Sequence, residues 1–363
     1  MKSLPALNIH SGQGDYAVTF PATLSELVAA MLEVPRSIVI VDQHVAEVHA
    51  AALAPLLSAR PTLLVPATEE EKTPAGVTRA WEFFQRSDAT KQTNLLVLGG
   101  GIIQDIAQFA AHNYYRGLRW HFAPTTLLGQ ADSCIGAKCG INLGAYKNQL
   151  GVFHSSSHVW ICLPFLETLS DVELCSGYGE IVKLLLTRSA PDLFRTLASE
   201  VNAGGWRNPS LSRFIRQSLE VKKGVIEEDE YERDLRRILN YGHTFGHALE
   251  AITQHGIPHG VAVAWGMDII NFIAWKRGLI EEAHFDEVHA FLSRHFAWNL
   301  SRRVTAEELV AGTRRDKKVA DGKISLVLPN RLGGLAIVPT AYDTALVEQV
   351  ADYLENHNVV HWD

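Results

Sequence analysis

The sequence predicts two domains, an α/β domain over residues 1–172 followed by an all-α domain over 173–363. Three observations carry this prediction. A length of 363 residues exceeds what one ordinary core fills, and 47% apolar with 20% charged residues is the balance of a soluble globular protein. The first half alternates short β-rich runs with helical patterns. From about Glu173 the strand signals give way to apolar-periodic segments.

In the first half, Ser37–Asp42, Thr62–Val65 and Asn94–Leu98 read as strands, and Ala80–Phe84 and Ile102–Tyr114 as helices. Strand, helix, strand in succession argues for a parallel sheet covered by helices. In the second half, Glu180–Leu186, Leu211–Ile226, Tyr241–Thr253, Val261–Arg277 and Glu281–His295 repeat their apolar residues at helical spacing. Lys323–Pro329 reads as a short strand. The boundary is expected near Pro164–Val172, with a cleft between the halves as the natural ligand site.

Composition narrows the function classes. The net charge is −7 with dispersed basic residues, which argues against a nucleic-acid partner. No apolar run reaches the roughly 18 residues of a membrane span, and the N-terminus lacks the apolar stretch of a secretory signal. Cys134, Cys139, Cys162 and Cys175 form no CxxC pair, so they read as reduced thiols in a cytoplasmic protein.

Three stretches carry chemistry. Gly99-Gly100-Gly101 follows an apolar strand and opens a helix with Asp105 one turn in. Such a turn lets backbone amides approach a phosphate at a helix N-terminus, although it can equally be a simple tight turn and is not the G-x-G-x-x-G fingerprint. His243 and His247 share one helical face at i, i+4, His259 follows beside a turn, and Glu180 and Lys183 lie at i, i+3 upstream. A carboxylate with two or three imidazoles suits a divalent metal such as zinc with one position open for substrate. Spacing leaves both His243 and His247 open as ligands. The segment from Pro124 to Asn148 is rich in small residues and reads as a polar loop whose lysines and amides can meet phosphate oxygens.

Together these stretches resemble 3-dehydroquinate synthase and its sugar-phosphate cyclase relatives, from about Asp42 to Pro329. The motifs are GGGIIQD (99–105), YYRG (114–117), PTTLLGQADSCIGAKCGIN (124–142), YKN (146–148), GEIVK (179–183), RRILNYGHTFGHALE (236–250), PHG (258–260) and DKK (316–318). The resemblance implies an α/β nucleotide-binding domain and a helical metal-binding domain. It implies Glu180, His243 and His259 as ligands of zinc (or cobalt), and His247 as a phosphate contact instead of a ligand. It implies NAD contacts at Asp42, Glu69, Lys72, Gly99, Gly100, Gly101, Asp105, Thr125, Thr126, Lys138, Lys147 and Thr168. Substrate-site positions are Asp132, Lys138, Lys147, Asn148, Lys183, Lys222, Arg236, Asn240, His247, Lys317 and Lys318. Arg116 matches a residue that reaches the neighbouring subunit's phosphate site, so a homodimer is implied.

The chemistry implied is a phosphate elimination and ring closure on a sugar phosphate. A metal polarises the hydroxyl being oxidised, and the carbonyl formed acidifies the neighbouring C–H, which is why a redox-neutral reaction uses NAD. Lys138, Asn148, Asn240 and His247 suit the leaving phosphate, and Lys222 with Arg236 suits a substrate carboxylate, favouring 3-deoxy-D-arabino-heptulosonate 7-phosphate. Departures from the synthase pattern are Gln104, Gln108, Ala137, Asp234, Val261 and His154. They keep a cyclase of secondary metabolism, acting on sedoheptulose 7-phosphate or another sugar phosphate, as the alternative. A metal-dependent polyol dehydrogenase and a non-catalytic homologue are the rivals from other classes.

Overall fold

The protein is described by a computed structural model that covers residues 4–144, 146–187, 191–254, 256–314, 319–320, 322–331, 334–357 and 360–362. The chain folds as two compact units, Met1–Ser170 with Lys222–Tyr231, and Asp171–Val221 with Glu232–Asp363.

The first unit is built on strands β1 (Leu7–Ile9), β2 (Tyr16–Thr19), β3 (Ser37–Asp42), β4 (Thr62–Val65), β5 (Asn94–Gly99), β6 (Arg119–Pro124), β7 (Lys138–Leu143), β8 (Tyr146–Phe153) and β9 (His158–Trp160). Its helices are α1 (Leu24–Leu32), α2 (Gln43–Val48), α3 (Ala50–Ala59), α4 (Pro74–Arg86) and α5 (Gly101–Asn113). Seven strands form one sheet in the order β1-β2-β9-β6-β5-β3-β4, parallel throughout except where β1 meets β2. The apolar runs of β3 and β5 are buried along their whole length, as in a parallel sheet covered on both faces. Alternate residues Val39, Val41, Leu96 and Leu98 join Leu27, Met31, Leu53 and Leu56 in one core cluster, because successive strand side chains point to opposite faces.

The chain leaves β3 toward β4 on one side and leaves β5 toward β6 on the other. That reversal lies between the carboxyl ends of β3 and β5, where parallel α/β sheets hold their ligands. Asp42 and Gly99 stand at those two ends.

The expected polar loop over 124–148 is largely ordered structure. A π-helical turn (Gly129–Ser133) leads to the antiparallel hairpin of β7 and β8, whose register shifts between Ile141 and Leu143. The small residues and lysines disguised the strand, yet Cys139 and Ile141 are buried while Lys138 and Leu143 face out. From Lys138 to Ile141 this is the period-2 signal of a half-buried strand, and it breaks at the register shift, after which Asn142 is buried and Leu143 exposed.

The second unit is mainly helical: α6 (Asp171–Thr187), α7 (Pro191–Gly204), α8 (Leu211–Glu228), α9 (His243–Ile252), α10 (His259–Lys276), α11 (Glu282–His295), α12 (Ala306–Thr313) and α13 (Thr344–Asn356). From Lys222 on, α8 belongs to the first unit. Every residue of α10 from Gly260 to Ala274 is buried, so this helix is the hub of the unit. The strand expected at Lys323–Pro329 is the middle of a three-stranded antiparallel sheet, and a second, two-stranded sheet pairs Trp298–Leu300 with Val360–Trp362. Among the described residues no helix is long and apolar enough to cross a membrane.

All four cysteines are free thiols. Burial pushes Cys134, Cys162 and Cys175 up to about 12 and Cys139 well above its ordinary value. The thiolate is the reactive form, so iodoacetamide at pH 8 is expected to leave all four unmodified in the native protein and to modify all four in guanidinium. Mass spectrometry reads the difference.

Candidate functional site

In the second unit, glycines bring three helices into backbone contact. A Cβ on Gly260 would stand 1.7 Å from the Ser176 carbonyl oxygen, and one on Gly179 would stand 2.1 Å from that of Gly260, so α6 and α10 touch without side chains between them. On the other side of α10, a Cβ on Gly266 would meet the Gly242 carbonyl oxygen at 1.9 Å, and Gly242 itself takes φ +77. Each close contact has a metal-ligating residue type beside it in sequence: Glu180 after Gly179, His243 after Gly242, His259 before Gly260.

Glu180, His243 and His259 therefore converge. Glu180 Oε1 lies 3.1 Å from His259 Nε2 and 3.5 Å from His243 Nε2, and the Lys183 ammonium pairs with the other oxygen of the same carboxylate. His243 Nδ1 lies 3.2 Å from the Tyr241 carbonyl oxygen, which only accepts, so Nδ1 donates to it and Nε2 is the nitrogen turned to Glu180. His259 Nδ1 faces Glu250 Oε2 at 3.1 Å. Burial alone would push this imidazole down, but its hydrogen bonds with Glu180 and Glu250 outweigh it and push it up to about 10. One carboxylate and two imidazoles, their ligand atoms all within 4.8 Å of one another, fit a divalent metal.

A second group, His247, Glu250 and His259, meets the same distance test. It differs in exposure. His243 keeps 13% of its side-chain exposure and faces Glu180, while His247 is exposed, with ring centroids 5.2 Å from His243 and 6.0 Å from His259. Arg236 is buried in the 3-10 turn Leu235–Asn240, and Asn240 Nδ2 donates to Glu232 Oε1 at 2.7 Å.

Glu250 and Glu232 are not among the site residues expected from the sequence. Glu250 follows His243 by seven residues and His247 by three, which is helical same-face spacing, and that signal was available. Glu232 had none, since it is brought to Asn240 by a turn in which it takes φ +57.

In the first unit, the glycine turn closes tightly at two positions and opens at the third. A Cβ on Gly99 would meet Ile103 at 2.6 Å and one on Gly100 would meet Thr126 Cγ2 at 2.8 Å, whereas nothing among the described residues lies within 4 Å of one on Gly101. The first residue of α5 thus has open space on its Cβ side, and a helix N-terminus favours an anion. Thr125 N donates to the Gly99 carbonyl at 3.0 Å, and Thr126 Oγ1 accepts from Gly129 N at 3.1 Å. Asp42 caps α2 by accepting from His44 N at 3.0 Å.

Other predicted residues come together around the β7–β8 hairpin. Lys72 Nζ lies 2.6 Å from Asp105 Oδ2, and Asp105 Oδ1 accepts from Gly140 N at 3.2 Å. Burial opposes the Lys72 charge, and Asp105 overrides it, holding Lys72 above its usual value. Glu69 Oε1 accepts from Asn142 Nδ2 at 2.8 Å and lies 3.5 Å from Lys147 Nζ. Asn148 takes φ +51 with its side chain against Gly140. Asp132 and Lys222 form a buried ion pair at 2.5 Å, and the same ammonium donates to the Asp132 carbonyl at 2.7 Å. Thr168 is held by His49 Nε2 at 3.3 Å, and Arg116 and Lys138 are exposed. Lys317 and Lys318 lie outside the described residues.

Two departures from the synthase pattern have a structural cause. Gln104 Nε2 donates to the Ser133 carbonyl at 2.8 Å, and Gln108 Nε2 donates to those of Ala137 and His154 at 2.6 and 3.0 Å. Both are buried. In place of small residues, these amides tie α5 to the π-helical turn and the hairpin.

Residues 62–176 match the family model for the 3-dehydroquinate synthase N-terminal region, and residues 177–319 match the one for its C-terminal region. The 3-dehydroquinate synthase of Paracoccus denitrificans (strain Pd 1222) is 35% identical over 96% of this chain and 98% of its own. A solved 2-deoxy-scyllo-inosose synthase, complexed with carbaglucose-6-phosphate, NAD+ and Co2+, shares the fold at TM-score 0.85 and 24% identity, covering 96% of this chain and 100% of that one. The 2-epi-5-epi-valiolone synthase of Streptomyces hygroscopicus subsp. jinggangensis 5008, with NAD+ and Zn2+ bound, superposes at TM-score 0.83 with 25% identity over 96% and 99%.

Proposed function

Because the chain belongs to the 3-dehydroquinate synthase family, we propose that it converts 3-deoxy-D-arabino-heptulosonate 7-phosphate to 3-dehydroquinate by NAD- and zinc-dependent phosphate elimination and ring closure. The observation that carries this reading is the Glu180–His243–His259 donor set with an exposed imidazole, His247, packed against both histidines. That arrangement supports a metal and a phosphate donor in one place, which a simple polyol dehydrogenase does not need. The solved relatives with NAD+ and Co2+ or Zn2+ support the same two cofactors here.

When bound, the metal supplies Lewis acidity toward a substrate hydroxyl and the carbonyl formed from it, and the dinucleotide takes up and returns a hydride. The protein's part is to hold and orient. Glu250 keeps a proton on His259 Nδ1 and so turns Nε2 toward the metal position. The Gly99–Gly101 turn with Asp42, Glu69, Lys72, Asp105, Thr125, Thr126, Lys147 and Thr168 would hold the dinucleotide. His247, Asn240, Lys138 and Asn148 would bind the phosphate, with Lys317 and Lys318 as further cations, and Lys183 and Asp132 would line the substrate site. Lys222 and Arg236 would take the carboxylate, where a guanidinium fork is geometrically favoured. The same reading includes a cytoplasmic homodimer in which the exposed Arg116 reaches the neighbouring phosphate site.

A second reading, cyclisation of sedoheptulose 7-phosphate, is favoured by His154 and by the solved valiolone synthase relative. Phosphate release measured on a panel of the heptulosonate phosphate, sedoheptulose 7-phosphate and glucose 6-phosphate, with NAD and zinc present, separates these. Fast release from the first without NADH accumulation is expected. Arg236→Ala should then cost about 2 kcal/mol, roughly 30-fold in kcat/KM, on the carboxylated substrate alone. Equal losses on both heptulose phosphates remove the preference for the carboxylate, and stoichiometric NADH would point to a dehydrogenase.

A further inference from the structure

The core of α10 is apolar except for Asp268 and Asn271, both fully buried. Asp268 has an evident structural use: its Oδ2 lies 2.7 Å from His289 Nδ1 and accepts from Tyr353 OH at 2.8 Å, tying α10 to α11 and α13. Among the described residues the Asn271 side chain makes one hydrogen bond. Its Oδ1 accepts from the Tyr241 hydroxyl at 2.5 Å, while its Nδ2 is buried with no hydrogen-bond partner among the described residues. A buried amide that uses only half its capacity costs stability, and a Phe–Leu pair would fill the same space at lower cost. Packing alone therefore does not account for this pair.

Tyr241 is the residue whose carbonyl accepts from His243 Nδ1. Its peptide is held from three directions: Tyr241 N donates to the Ile238 carbonyl at 3.0 Å, Gly242 takes the left-handed conformation against α10, and the buried ring is pinned by Asn271. Asn271 lies about three turns along the helix that begins with His259. The hydroxyl–amide bond thus fixes the carbonyl behind one candidate ligand to the helix that carries another.

We propose that Tyr241 and Asn271 are positioning residues for the metal centre, acting through the Tyr241 carbonyl on the ring orientation and tautomer of His243. This rests on the metal reading above and adds to it a support from outside the ligand set, the kind of partner whose loss costs about ten- to hundredfold in metal affinity.

The test uses Co2+ as the probe, with chelator competition for affinity, visible absorption for ligand geometry, and the melting temperature of the metal-free protein. Tyr241→Phe and Asn271→Leu each leave a buried polar atom unpaired, and each should lower both the melting temperature and Co2+ affinity, the latter by about ten- to hundredfold. The double variant removes both polar partners. Its melting temperature should return to that of the parent, while Co2+ affinity stays reduced and the absorption band stays altered. A merely structural bond would be repaired in both respects, and a double variant with parental affinity and spectrum overturns the proposal. Should the double variant fail to fold, Tyr241→Phe decides alone, parental affinity and spectrum again overturning it. A parent protein that takes up no Co2+ removes the metal reading itself, and this inference with it.

Discussion

His259→Ala yields a folded protein that neither retains zinc through dialysis nor releases phosphate from its substrate. His259 is the one residue common to both groups of candidate ligands, so its loss dismantles either. It also removes the partner that Glu180 meets at 3.1 Å and that Glu250 meets at 3.1 Å. The expected fall in turnover is about three orders of magnitude, as when a stabiliser of developing charge is removed from an active site. Loss of the hydrogen bonds should cost about 1–3 kcal/mol of stability, little enough to leave the fold intact. Metal analysis, circular dichroism and phosphate release check the three parts. Full turnover in this variant would end the ligand assignment.

Gly260→Ala acts through the backbone instead. The added methyl would stand 1.7 Å from the Ser176 carbonyl oxygen, and neither side is a flexible chain that can swing away. The two helices must separate, which carries Glu180 away from His259. Overpacking costs about 1–3 kcal/mol and occasionally more, and a clash between two backbones belongs at or above the upper end. The expected result is a melting temperature lowered by several degrees together with loss of metal. Gly101→Ala is the control: its Cβ enters open space, so stability should be unchanged within about 0.5 kcal/mol. Equal stabilities for the two variants would refute the clash.

Much of the fold was legible in local pattern. Ser37–Asp42 and Thr62–Val65 are strands with the expected limits: the first is a fully buried apolar run bounded by turn signals, and the second is a short β-rich run that stays partly exposed at the sheet edge. The five periodic segments of the second half are helices that begin and end within a few residues of them, apart from α6, which starts earlier at Asp171, whereas α7, α12 and α13 fall where no helix was expected. The β7–β8 hairpin was not legible, since lysines and glycines outweighed a two-residue alternation. The glutamines of α5 read as departures, and only their carbonyl partners on the π-helical turn and the hairpin show what they do.

The candidate metal site divides in the same way. Sequence alone determined which residue types were available: a carboxylate at Glu180, imidazoles at His243, His247 and His259, and the helical spacing that puts two of them on one face. Motif order added the family. Tertiary structure decided which atoms meet. Whether His243 Nε2 or Nδ1 faces Glu180 depends on the Tyr241 carbonyl, and the side that His259 turns to Glu250 depends on where α9 ends against α10. Those distances follow from backbone contact at Gly179, Gly260, Gly242 and Gly266. Periodicity reports the face of one helix; only the packing of three helices brings atoms seventy-nine residues apart within 3.1 Å.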